Sequence, residues 1–377
     1  MNMHPDLGYF DEGLDLVEPK LYRAAVRPFG RAETLPPAAF RSKIFADLED
    51  EKVWTRNWIC IGTQQEIPKA GDLLPFTIGH HGIHVERTKD GGLIGRFNKA
   101  QHGGCRVVPA QCQTGIKTKC SFTSCGYSRD RVAIDSSETG EGSQMGGQYL
   151  GDRPERLLPV KVDSLGPFIF VNLDPESKPL RAHFKGLAKP LGRAFDGDLR
   201  LVAQERREYD CNWKLAGRAF LESLTPPFGG GNPAKSAKPA GADKPAHTIQ
   251  NFGLTAPQRK SARLCWLFPN LLLVLMPDHV LGVILQPTAT TMTLERISLF
   301  VDENATEVEE LTSTWMDTLD QCAAHGVARQ QEINAATKPP RKENCASGYD
   351  FQKFLVACIL AEHDYYWSVP LFAQPGR

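Results

Sequence analysis

Between positions 58 and about 163, apolar residues come in short runs broken by glycine and proline, the pattern of strands joined by tight turns. Runs at 58–62, 71–78, 83–86 and 93–98 predict four strands, and Asp90-Gly91-Gly92 predicts a hairpin turn before the last of them. Ahead of this region, 41–54 carries Ile44, Phe45 and Leu48 at helical spacing, which predicts an amphipathic helix behind an irregular leader containing Pro36-Pro37. The run His80-His81-x2-His84 falls at a predicted hairpin and reads as a solvated turn.

From about 158 the pattern changes. Phe168-Ile169-Phe170-Val171-Asn172-Leu173 reads as a strand of a second domain. The stretch 213–224 reads as a helix with Trp213, Gly217, Phe220 and Leu224 on one face. Residues 225–246 are crowded with Gly, Pro, Ala and Lys and predict a mobile loop. Strands are expected at 264–268, 271–275, 280–286 and 292–301. Thr306-x-x-Glu309 has the form of a capping box, opening a long helix with Val308, Leu311, Trp315, Leu319 and Cys322 turned inward. Strands followed by a long C-terminal helix predict an α+β fold, an antiparallel sheet folded around that helix with a cavity between them. No internal repeat is visible.

Composition narrows the function. Lys plus Arg equals Asp plus Glu at 44 each, so no charge signature points to nucleic acid or an acidic membrane. The most apolar stretch, 264–285, is interrupted by Pro269, Asn270, Pro277, Asp278 and His279 and cannot span a bilayer. The acidic stretch 1–18 lacks the basic and apolar regions of a signal peptide. Ten cysteines without a disulfide framework fit a reducing cytoplasm.

Several segments, in order, carry a resemblance: Leu35-Pro36-Pro37, Val53-Trp54-x3-Trp58-x-Cys60-x-Gly62, Ile67-Pro68-x2-Gly71-Asp72, Pro167-Phe168-x-Phe170-Val171-Asn172-Leu173, Asn212-Trp213-Lys214-Leu215, Phe220-Leu221-Glu222 and Phe268-Pro269-Asn270. Two more, Phe97-Asn98-x-Ala100-x-His102 and Cys120-Ser121-Phe122-Thr123, resemble the halves of a Rieske cluster motif. The chain thus resembles, over nearly its whole length, the α subunit of Rieske-type ring-hydroxylating and demethylating oxygenases. The resemblance implies a leader and helix at 1–49 packed on the C-terminal domain, and a small Rieske-like all-β domain at 50–160. It also implies a larger helix-grip (START/Bet v1-like) domain at 161–377.

Matched residue by residue, the family's four cluster ligands fall on Ala100, His102, Cys120 and Thr123, so one ligand would remain to each iron. An alternative register on Cys125 loses the same histidine, to Ser128. The two histidines of the mononuclear iron fall on Thr225 and Gly230, and Glu222 on the bridging acid. The third iron ligand falls near Cys322 or Ala323, with Asp317 and Asp320 the nearest acids. The expectation is therefore a chain without a cofactor, with structural zinc on His102, Cys105, Cys112 and Cys120 as a further option.

Three functions follow as expectations. The first is an iron-free, α-like pseudo-enzyme subunit, associated with an intact Rieske α subunit or with itself as a trimer. The second is a metal-independent enzyme (cyclisation, isomerisation or decarboxylation) using Glu222, His363 and Asp364. The third is a protein that binds a small hydrophobic ligand.

Overall fold

The computed structural model describes residues 8–79, 81–97, 133, 135–136, 158–187, 191, 199–224, 247–253, 261–303, 305–335 and 341–362, with backbone only at 248–253 and 261. They fall into two compact units, one built from residues up to 53 and from 181 onward, the other from 54–180.

The first unit opens with a short hairpin, β1 (Phe10–Asp11) and β2 (Leu14–Asp15), followed by α1 (Ala38–Arg41) and α2 (Lys43–Glu49). The single helix expected over 41–54 is broken at Ser42, which is extended (φ −79°, ψ 129°) and caps α2 by accepting from Phe45 N at 3.1 Å. A wider turn at Asp50–Trp54 ends it.

In the 54–180 unit, the strands are β3 (Ile59–Thr63), β4 (Leu73–Ile78), β5 (His81–Arg87), β6 (Leu93–Phe97), β7 (Pro159–Leu165) and β8 (Phe168–Asn172). They form one antiparallel sheet in the order β3-β8-β7-β6-β5-β4. The four strands expected before position 98 are all present. The strand at 168–172 differs in its place: it pairs with β3 and completes this sheet instead of belonging to a second domain. Local pattern identifies a strand but does not say which distant strand it meets. Every residue of β3 and β8 is buried. In the Gly71-Asp72 motif, Gly71 turns with φ +90° and Asp72 accepts from Lys69 N at 2.8 Å and Ser136 N at 2.9 Å. His84 is no solvated turn residue. It lies inside β5, 2% exposed, where burial and then Arg96 push its pKa down to about 3.

Returning to the first unit, β9 (Leu199–Tyr209), β10 (His247–Gly253), β11 (Ser261–Leu267), β12 (Leu271–Leu275), β13 (His279–Ala289) and β14 (Met292–Asp302) form an antiparallel sheet. Its order is β10-β11-β12-β13-β14-β9. With it go α3 (Trp213–Ser223), α4 (Val308–Asn334) and α5 (Ala346–Leu360). Phe351 of α5 stacks on Trp266 at 3.8 Å and meets Trp213 edge-on at 5.6 Å. Gly217 lets α3 approach the sheet, since a Cβ there would stand 2.4 Å from the Trp266 ring. The long helix α4 is anchored to the sheet where Trp315 Nε1 donates to His279 Nε2 at 2.9 Å.

The capping box at Thr306 and Glu309 does not form. The cap position falls on Glu307, left-handed at φ 60° with no side-chain cap bond, one residue too late for the reciprocal pair. Leu311 and Val308 are half-buried, while Trp315, Leu319 and Cys322 face inward as expected. Among the described residues no helix is long and apolar enough to cross a membrane. Cys211, Cys265, Cys322 and Cys345 are free thiols.

Candidate functional site

Helix α3 carries the candidate acid. Its N-cap Asn212 accepts from Lys214 N at 3.1 Å, donates through its side-chain amide to Thr290 O at 2.7 Å, and donates its backbone N–H to Gln330 Oε1 at 2.9 Å. The helix start is thereby tied to the β13–β14 turn and to α4. All residues from Trp213 to Leu221 are buried, so the cations Lys214 and Arg218 must find acids inside the protein.

Lys214 Nζ lies 2.8 Å from Glu49 Oε1 in an ion contact without hydrogen-bond alignment, and Trp213 Nε1 donates to Glu49 Oε2 at 3.1 Å. The ammonium also sits 5.1–5.7 Å from the Trp213, Phe45 and Phe40 ring centres. Burial pushes the Glu49 carboxyl up and the Lys214 ammonium down, and their mutual attraction offsets this only in part.

One turn on, Arg218 Nη2 donates to Glu222 Oε1 at 2.7 Å and to Glu343 Oε1 at 3.1 Å, and Nη1 donates to Glu343 Oε2. Glu343 is fully buried and also accepts from Cys345 N at 2.9 Å. Burial opposes charge on Arg218, but Glu343 and then Glu222 outweigh it and raise its pKa. Burial likewise pushes Glu222 upward, yet Arg218, His325 (4.0 Å away) and Arg329 hold it at about 2. The candidate acid is thus an ionised carboxylate clamped by a guanidinium.

Of the other residues singled out in the sequence, Ala100, His102, Cys105, Cys112, Cys120, Thr123, Cys125, Thr225, Gly230, His363 and Asp364 lie outside the described residues, as does the loop 225–246. Asp317 and Asp320 face outward on α4, and Asp320 accepts from Arg207. Cys322 faces inward, where burial pushes its thiol up to about 11.

A second acid escaped the sequence reading. Glu295 on β14 is 3% exposed and accepts from Tyr209 Oη at 2.5 Å. Burial pushes it up to about 7, against the smaller opposing effects of Tyr209 and Arg207. Its signal was a charge at an inward position of an apolar strand, since residues from Thr293 to Val301 are all buried.

Two antiparallel sheets, with a long helix over the second, are an architecture that solved structures share. The structure of a quaternary ammonium Rieske monooxygenase superposes with TM-score 0.65 at 17% identity, covering 87% of this chain and 95% of that one. A naphthalene 1,2-dioxygenase mutant bound to phenanthrene superposes with TM-score 0.60 at 15% identity, covering 92% and 96%. Residues 230–332 match the family described as ring hydroxylating alpha subunit (catalytic domain). The carnitine monooxygenase oxygenase subunit of Escherichia coli (strain K12) is 22% identical over 304 residues, 75% of this chain and 79% of that protein. The biphenyl 2,3-dioxygenase subunit alpha of Rhodococcus jostii (strain RHA1) is 25% identical over 203 residues; that match takes in 52% of this chain and 42% of the relative's length. The chain spans less than half the length of the biphenyl and benzene dioxygenase subunits it matches. The chain is a relative of Rieske-type ring-hydroxylating oxygenase α subunits.

This relationship corrects the expectation of a chain without a cofactor. Members of this family carry a Rieske 2Fe–2S cluster and a non-haem iron, and no described residue speaks against such centres. Every cluster or histidine position matched in the sequence lies outside the described residues, and so does the zinc set His102, Cys105, Cys112 and Cys120. Among the described residues, no group of three or more His, Cys, Asp or Glu could hold a metal ion. The described part of the chain therefore does not by itself compose either centre.

Proposed function

We propose that the chain is an α-type subunit of a Rieske oxygenase assembly, contributing its fold and contact surfaces beside an intact α subunit. The observation that carries this reading is the Glu343–Arg218–Glu222 clamp. Glu222, the described residue matched to the bridging acid, is committed to an internal ion network. A carboxylate held at about 2 is a weak base near neutral pH and has no proton to donate there, which also speaks against acid–base work by Glu222. The core motifs support the same reading: Trp54, Trp58 and Phe168 are buried, and Trp58 Nε1 donates to Lys178 O at 2.9 Å. Residues that serve assembly keep a subunit folded whatever its own chemistry.

The test is co-expression with an intact α subunit from the same source, followed by size-exclusion chromatography and iron analysis of each species. The expected result is a stable mixed complex at micromolar concentration, as interfaces on the order of 2,000 Å² give, and lower oxygenase activity when this chain is omitted. Oxygen-dependent turnover by this chain alone, unchanged by the partner, would overturn the proposal.

A further inference from the structure

We draw no further inference here: the strongest candidate, the exposed apolar surface of the leader at Phe10 and Leu14 of the β1–β2 hairpin and at Val26 and Phe29 beyond it, carries nothing because nothing in the structure shows what covers it.

Discussion

Glu222 and Glu295 belong to one compact unit, yet their carboxyls stand at about 2 and about 7. Burial pushes both upward. The difference lies in the company each keeps. Glu222 has a guanidinium one helical turn away at 2.7 Å, with His325 and Arg329 behind it. Among the described residues, the hydrogen-bond partner of Glu295 is a tyrosine hydroxyl. The nearby Arg207 is engaged by Glu205, at 3.1 Å, and by Asp320. A single dedicated cation decides whether a sheltered carboxylate is a fixed charge or a titrating group, and α3 supplies one where β14 does not.

The most severe way to break the contrast is Arg218→Met, which strands Glu343 without a cation in a fully buried site. Removing one partner of a buried pair costs about 3–5 kcal/mol, and urea unfolding should show a loss of that size. A loss below about 1 kcal/mol would mean that Glu343 takes up a proton easily and that the clamp is weak.

Next comes pH. The folded-state pKa of Glu295 is raised above its ordinary 4.5, so the folded protein keeps a proton that the unfolded chain releases. Its contribution to stability is greatest below 4.5, falls as pH rises, and is fully lost above about 7, a difference of about 3 kcal/mol. Glu222 has the opposite sign: its contribution is complete above 4.5 and is lost as pH falls toward about 2. Stability measured from pH 4 to 8 for Glu295→Gln should therefore lack the decline of the parent protein. An unchanged profile would remove Glu295 from the account.

A smaller effect tests the scaffold that holds Arg218 in place. Gly217→Ala puts a Cβ against Trp266 and should cost about 1–3 kcal/mol by overpacking. Thermal unfolding reads it directly.

Much of this was legible in the sequence, and the failures have physical causes. The strands before position 98 and those from 261 to 302 stand out because turn residues bound their apolar runs. Strand β9 was not read at all. It lies at the sheet edge, where alternate residues Gln204, Arg206 and Glu208 face water, and its charged run hides the strand pattern. The clamp was half visible: Arg218 and Glu222 have the spacing of a helical ion pair, but Glu343 arrives from 125 residues away, a separation no local pattern encodes. Glu222 itself was found through family register, which assigns a position and says nothing of its ionisation. That required the guanidinium.

The central claim is that Glu222 serves the scaffold and not the chemistry, and Glu222→Gln tests it most directly. Its side chain is 31% exposed, so the stability loss should stay below about 1 kcal/mol. Within the assembled oxygenase, the account predicts turnover per complex unchanged, with a slightly lowered Tm of this subunit. Turnover abolished at unchanged Tm and unchanged assembly would contradict it and make Glu222 a catalytic group.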